Sequence, residues 1–189
     1  IIDACEASLE RLGTDWIDLY QVHCHDGLVP FEETLRALDD LVRAGKVRYV
    51  GCSNYAGWQL MKALATADRS GTERFIGQQI QYSLLARDAE NELLPCGVSE
   101  GVGALVWSPL AQGYLSGKFS GMEGGEEDTR LGHAGRVGSY HRRGGEAIVA
   151  ALCDIAADHD GATPSQVALN WVRARPGVTA VLVGARSDA

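Results

Sequence analysis

The sequence has no long apolar run, no excess of positive charge and no paired cysteine motif, and each absence removes a class of protein. No apolar run is long enough to span a membrane, and no segment has the pattern of a signal peptide. The formal net charge of −8, without a basic stripe that interleaves with aromatic residues, argues against a nucleic-acid partner. The five cysteines are scattered and form no C-x-x-C pair, which predicts reduced, mostly buried thiols in a cytoplasmic protein.

Short β-type apolar runs alternate with amphipathic helical patterns along the chain. The runs predict strands, the first of them buried on both faces, at Trp16–Val22, Val47–Gly51, Phe75–Gln81, Gly103–Trp107 and Val178–Val183. The periodic segments predict helices at 2–12, 30–45, 58–67 and 89–100, one with Ile148, Leu152 and Ile155 on one face, and one opened by Thr163. The stretch from Ser120 to Gly145 is rich in glycine and charge and predicts a long mobile loop.

This alternation indicates an α/β fold with parallel strands, which is either an open doubly wound sheet or a (β/α)8 barrel. No G-x-G-x-x-G follows any strand, so the dinucleotide-binding form of the open sheet lacks its motif. Polar residues instead follow the carboxyl ends of the predicted strands, where a barrel gathers its active site. These residues are His23, Ser53, Asn54, Gln79, Gln81, Trp107, Ser108, Gly184 and Arg186. The sequence therefore predicts the barrel.

The barrel is expected to be partial. A complete one takes about 250 residues, whereas this sequence has 189 and begins at Ile1 inside a helical pattern. We therefore expect one domain over residues 1–189, truncated at both ends, with about strands 4–8 and their helices.

The run from Val106 to Lys118 carries the strongest chemical signal. An aromatic residue ends a strand pattern and is followed by a Ser-Pro-Leu turn, glycines and a lysine. A flat aromatic side chain can stack on a planar heteroaromatic ring, and backbone amides with a lysine beyond it suit a phosphate. By itself this run also fits an ordinary strand end followed by a Pro-Gly loop, and it is the further segments below that favour a nucleotide-type ligand.

Five motifs in order resemble those of the aldo-keto reductases, in the branch of bacterial oxidoreductases and potassium-channel β-subunits. They are Asp18–His23, Gly45–Asn54, Gln79–Ser83, Trp107–Lys118 and Val183–Ser187. The resemblance implies a (β/α)8 TIM barrel that transfers hydride reversibly between NADPH and an aldehyde or ketone. The complete protein is then expected to be a cytoplasmic NADPH-dependent oxidoreductase that reduces small carbonyl substrates and needs no metal, with its oligomeric state left open.

The resemblance also assigns a catalytic residue. The family uses a Tyr, a Lys, an Asp and a His, and His23 stands where the family's His belongs. The other three lie on earlier strands that this chain does not contain. We therefore expect the 189-residue chain alone to lack reductase activity and to be marginally stable.

The cofactor residues follow from the same motifs. Ser53, Asn54 and Gln79 resemble the partners of the nicotinamide carboxamide, and Trp107 resembles the ring that stacks on the nicotinamide. The pyrophosphate-side loop corresponds to Ser108, Pro109, Leu110 and Gln112, with Lys118 and Arg130 meeting phosphate charge. Gly184, Arg186 and Ser187 lie in the segment next to the adenosine 2′-phosphate, where a cation and a hydroxyl favour NADPH over NADH.

Other interpretations of the same residues stay open. His23 and His25 lie on one side of an extended chain and can chelate zinc, which would indicate a metal-dependent hydrolase. A nucleotide-binding module used for sensing, like the channel β-subunits, is a second alternative, although those subunits differ at His23. Ser53 and Asn54 also suit a plain helix cap, and Trp58 and Trp171 are predicted to be core residues.

Overall fold

A computed structural model describes residues 1–119 and 137–184, and strands and helices alternate along both ranges. The strands are β1 Ile17–Val22, β2 Val47–Ser53, β3 Phe75–Gln81, β4 Gly103–Trp107 and β5 Val178–Val181. The helices in these ranges are α1 Ile2–Leu12, α2 Phe31–Arg43, α3 Gly57–Ser70, α4 Leu93–Glu100, α5 Val137–Arg142, α6 Gly145–Ala157 and α7 Pro164–Arg173. Short 3₁₀ turns occupy Asp88–Glu90 and Ala111–Ser116.

The described strands form one parallel sheet in the order β1-β2-β3-β4-β5. Val22 lies opposite Cys52 on β2, and Ser53 lies opposite Gln79 on β3, with a register shift between Val50 and Gly51. Each strand therefore adds beside the previous one after a helical crossover, which is how a (β/α)8 barrel progresses. This confirms the α/β class and is consistent with a partial barrel.

The chain divides into two compact units, and the single-domain organisation stays a prediction. The first unit comprises Ile1–Ile80 and Glu92–Ala104. Its core packs apolar residues of β2, among which Val50 and Cys52 share one face, against the apolar stripes of the helices. It includes Val47, Val50, Cys52, Leu35, Leu38, Leu60 and Leu64. The opposite face of β2 carries Gly51 and Ser53. The helices thus hold the strand from one side and leave its polar end on the other.

The second unit comprises Gln81–Asn91 and Leu105–Ala189. Its described core contains Tyr114, Leu115, Phe119, Val137, Val149, Leu152 and Ala168. Tyr114 and Leu115 belong to the 3₁₀ turn that follows β4, so this turn is itself part of the core.

Two element predictions were wrong. The predicted helix 89–100 is a 3₁₀ turn followed by α4, because Pro95 lacks an N–H and is tolerated only in the first turn of a helix. The predicted loop Ser120–Gly145 contains α5, because Val137 and Tyr140, three residues apart, are both buried in the second core. Residues 120–136 of that loop lie outside the described residues.

Four burial predictions also failed. Trp58 is 58% exposed because α3 buries Leu60 and Leu64, and Trp58 does not belong to that stripe. Trp171 is half-buried, since Arg87 and Arg175 cover its ring at 5.3 and 4.8 Å. The cysteines are not mostly buried, since Cys5 and Cys52 are buried while Cys24 and Cys153 are exposed. Strand β1 is only half-buried because it is the edge of the described sheet. No helix within the described ranges is long and apolar enough to span a bilayer.

Candidate functional site

Strand ends of the first unit bring four of the predicted site residues to one edge of the sheet. His23 directly follows β1, Ser53 is the last residue of β2, and Gln79 lies opposite Ser53 on β3. The carboxyl ends of parallel strands meet at the same edge, so their polar residues converge. Asn54 follows Ser53 and completes the group.

Hydrogen bonds tie these strand ends together. The Ser53 hydroxyl donates to the Gln79 carbonyl at 3.0 Å, and the Asn54 backbone N–H donates to the same oxygen at 3.1 Å. The Asn54 amide Nδ2 donates to the His23 carbonyl and to the Ser53 hydroxyl, both at 3.0 Å. Ser53 is buried, so its hydroxyl is held in one orientation.

Gln21 is a member of this network that the sequence reasoning missed. The Gln79 side chain donates from Nε2 to Gln21 Oε1 at 3.0 Å, and Gln21 Nε2 donates to the Cys52 carbonyl at 3.4 Å. Gln21 precedes His23 by two residues, and the two-residue period of a strand was the available signal. The pairing fixes the Nε2 end of Gln79 and leaves its Oε1 as an acceptor.

The two neighbouring histidines have different surroundings. His23 is exposed at the strand end, while the His25 ring stacks on Phe31 at 4.5 Å and meets Tyr55 edge-on at 5.7 Å. His25 therefore packs in an aromatic cluster that anchors the start of α2. Within residues 1–119 and 137–184, no three His, Cys, Asp or Glu residues gather to hold a metal ion.

Buried groups next to the strand ends stay uncharged. Burial raises the pKa of the Cys52 thiol to about 12. Burial, followed by the proximity of Cys52 and Cys24, raises the pKa of the Tyr55 hydroxyl to about 12. Neither group ionises near neutral pH, so neither supplies charge to the site.

In the second unit the site residues lie on an unusual backbone path. Trp107 ends β4, and the chain then passes through Ser108 with φ 56°, Ala111 with φ 49° and Gln112 with φ 59°. Together with Asn54, at φ 57°, these are the non-glycine residues of positive φ in the described chain. The left-handed region is unfavourable for most L-residues, and such strain clusters at functional sites.

The core holds this loop in its strained form. Pro109 and Ala111 are buried, and Leu115 is completely so. The Ser116 hydroxyl donates to the Gly113 carbonyl at 2.7 Å. Lys118 is exposed and lies over Gly113, where an added Cβ would stand 3.6 Å from its Nζ. The lysine charge is thereby held beside the left-handed turn.

One buried acceptor in the loop has no partner. Gln112 Oε1 is buried without a hydrogen bond, although buried polar atoms are normally paired because an unpaired one is costly. A hydrogen-bond donor on a ligand would satisfy it. Within the second unit, the orphaned oxygen and the lysine fit a ligand that carries donor and anionic groups.

The remaining predicted residues divide between exposed and undescribed positions. Gly184 is exposed beyond β5, and Leu110 is half-buried, with its carbonyl accepting from the N–H groups of Gly113 and Leu115. Arg130, Arg186 and Ser187 lie outside the described residues.

A parallel sheet with helical crossovers and polar residues at its carboxyl edge defines the class of α/β proteins that comprises barrels and doubly wound sheets. Within that class, the sequence profile of the aldo/keto reductase family matches residues 1–189. The chain belongs to the aldo/keto reductase family, whose members include oxidoreductases and channel β-subunits.

Its relatives cover both kinds of protein. The chain is 41% identical over 182 residues to an uncharacterised oxidoreductase, YrpG, of Bacillus subtilis, an alignment that covers 96% of this chain and 53% of that protein. It is 36% identical to the versiconal hemiacetal acetate reductase of Aspergillus parasiticus, covering 93% of this chain and 51% of that protein. It is 32% identical to a probable voltage-gated potassium channel subunit beta of Arabidopsis thaliana, an alignment that covers 100% of this chain and 58% of that protein. The chain thus spans about half the length of these curated relatives.

Proposed function

We propose that the full-length protein is an NADPH-dependent oxidoreductase that reduces an aldehyde or ketone to an alcohol. The observation that carries this proposal is the left-handed backbone at Asn54, Ser108 and Gln112. These are three of the residues that the sequence assigns to the cofactor, and each lies within five residues of a strand's carboxyl end. Strain maintained at such positions is typical of a site that the fold preorganises for a ligand.

The first unit supplies the groups for the nicotinamide carboxamide. A primary amide both donates and accepts, so its site needs both kinds of partner. Ser53, Asn54 and Gln79 are proposed to provide them, with the Ser53 oxygen and Gln79 Oε1 as acceptors and the second Nε2 hydrogen of Gln79 as donor. The bonds that Gln79 donates to Gln21 and that Asn54 donates to His23 hold the group in place. Their fixed orientation lowers the entropy cost of binding.

The second unit supplies the ring contact and the anion contacts. Trp107, the last residue of β4, is proposed to stack on the nicotinamide, and Ser108, Pro109, Leu110 and Gln112 in the turn that follows are proposed to meet the pyrophosphate. Lys118, beside Gly113, provides positive charge for a pyrophosphate. Arg130 is proposed as a further phosphate contact, and Gly184, Arg186 and Ser187 as the segment that meets the 2′-phosphate.

His23 is proposed to orient and polarise the substrate carbonyl. Its ring is exposed at the strand end while its own backbone carbonyl is bound by Asn54, which fixes the residue beside the carboxamide site. Bound NADPH supplies the hydride, and an imidazole next to the carbonyl oxygen stabilises the charge that develops there. We assign the proton donor to no residue of this chain.

A binding or sensing module is the second candidate, supported by relatives named as channel β-subunits. The two functions share the nucleotide site and differ in turnover. Oxidation of NADPH with a panel of small aldehydes by the full-length protein supports the enzyme. Binding of NADPH without turnover for any member of the panel supports the module.

The cofactor assignment is tested by tryptophan fluorescence during titration with NADPH. We expect quenching in the full-length protein, and most of it should disappear in Trp107→Leu, because stacking places Trp107 against the nicotinamide. Trp16→Leu is the matched control, since Trp16 precedes β1 at the opposite end of the strands and contacts Arg48. Equal quenching in both variants contradicts the role of Trp107.

Arg186→Ala should weaken NADPH binding and leave NADH binding unchanged.

A further inference from the structure

A buried tyrosine joins the strained loop of the second unit to the helix α5. The Tyr114 hydroxyl lies 2.9 Å from His141 Nδ1. Tyr114 is 2% exposed and follows Gly113 directly, so its ring is the first buried anchor after the left-handed run. The hydroxyl contact links positions 114 and 141, which are distant in sequence.

The surroundings of Tyr114 are shaped to hold its ring. The ring stacks on Phe119 at 6.2 Å and meets Tyr140 at 5.2 Å. Gly145 begins α6 against the ring, where an added Cβ would stand 2.6 Å from Tyr114 Cε1. A glycine at this position lets the helix start approach the tyrosine closely.

The Glu146 carboxylate favours a proton on Nδ1 of the His141 ring. Its carboxylate Oε1 lies 3.3 Å from the same Nδ1 that contacts Tyr114. A carboxylate only accepts, whereas a phenol both donates and accepts. A proton on Nδ1 is therefore the one arrangement attractive to both neighbours, with the Tyr114 oxygen as acceptor.

We propose that Tyr114 and His141 are positioning residues that latch the loop Ala111–Ser116 in its cofactor-binding form. This inference rests on the proposed function. Ala111 and Gln112 are strained, and a contact immediately beyond Gly113 opposes their relaxation. Without the latch the loop adopts its binding form for a smaller fraction of the time, and the apparent affinity for NADPH falls by that fraction.

The test compares Tyr114→Phe with Tyr140→Phe in the full-length protein. Both variants lose one phenol oxygen and keep the ring, but the Tyr114 hydroxyl contacts His141 whereas no described residue bonds the Tyr140 hydroxyl. We expect Tyr114→Phe to bind NADPH about threefold to tenfold more weakly, the effect of one hydrogen bond. The KM for NADPH should rise with kcat unchanged, and Tyr140→Phe should match the wild type. Equal affinities in the two variants overturn the proposal.

Nitrogen NMR of the histidine ring tests the latch independently of activity. We expect His141 to carry its proton on Nδ1 in the wild type and to lose this preference in Glu146→Gln, because an amide can donate to an unprotonated Nδ1. An unprotonated Nδ1 in the wild type overturns the role of Glu146. If the wild type fails to bind NADPH, the proposed function fails. If it binds and the tyrosine variants agree, only the latch fails.

Discussion

The two units hold the polar groups at their strand ends in different ways. In the first, Ser53, Asn54 and Gln79 sit at the ends of regular strands and are joined by hydrogen bonds of 3.0 to 3.1 Å. In the second, the chain leaves β4 and turns through left-handed residues, among them Ser108 and Gln112. The polar groups of the first unit are thus held by side-chain hydrogen bonds and those of the second by the path of the backbone.

This difference has consequences for stability. The bonds of the first unit stabilise the fold whether or not a ligand is present, by about 1 kcal/mol each. A non-glycine residue in the left-handed region lowers the stability of the fold by about 1–2 kcal/mol. In the second unit, burial of the side chains that follow offsets this cost. Asn54 is left-handed as well, but its side chain makes two hydrogen bonds, whereas Gln112 Oε1 makes none. The strain at Gln112 is therefore not offset by a hydrogen bond to its own Oε1.

The largest expected effects come from one crowded glycine in each unit. In Gly51→Ala the new Cβ would stand 2.7 Å from the Gly77 carbonyl oxygen, and in Gly145→Ala it would stand 2.6 Å from Tyr114 Cε1. We expect each to lower the free energy of unfolding by about 2–3 kcal/mol in urea titrations, the cost of overpacking. Gly138→Ala is the control, since its Cβ would meet only Arg142 Nη1 at 3.5 Å, an ordinary contact. A loss in the control as large as in the other two would contradict the role of crowding.

Alkaline pH should destabilise the protein through the first unit. Burial raises the pKa of Cys52 from 9.0 to about 12. The stabilisation that comes from burying the neutral thiol is fully present below the pKa of Cys52 in the unfolded protein. It is lost as pH rises toward the pKa in the folded protein, because the thiol of the unfolded protein ionises first. We expect a loss of about 1–2 kcal/mol of unfolding free energy between roughly pH 9 and 10.5, with a shallower slope in Cys52→Ala. Equal slopes in the two proteins would show that another group is responsible.

The smallest effects should differ in sign between the units. Asn54→Gly keeps the left-handed backbone but removes two hydrogen bonds, so we expect about 1 kcal/mol of destabilisation. Gln112→Gly removes strain together with an unpaired buried oxygen, so we expect stabilisation by about 1 kcal/mol and weaker binding of NADPH. Thermal unfolding and NADPH titration measure the two quantities. Destabilisation in both variants would remove the distinction between the units.

Sequence reasoning predicted the fold class, and it predicted the strand-end residues of the first unit better than the surroundings of the second. The positions of Ser53 and Gln79 could be predicted because strand ends follow from apolar patterning and the carboxyl ends of parallel strands share one edge. The Gln21 bond to Gln79 was missed, since it joins side chains 58 residues apart. Trp58 was placed in the core because its size outweighed its position beside the buried stripe of α3.

The sequence by itself determined the alternation of strands and helices, the membership of the family, and which polar side chains follow each strand. These depend on local periodicity and on the identity of neighbouring residues. The tertiary structure alone decided the left-handed path from Ser108 to Gly113, the burial of Gln112 Oε1, and the contact of Tyr114 with His141. Strain persists only where packing holds it, and the packing that holds this loop comes from helices far along the chain.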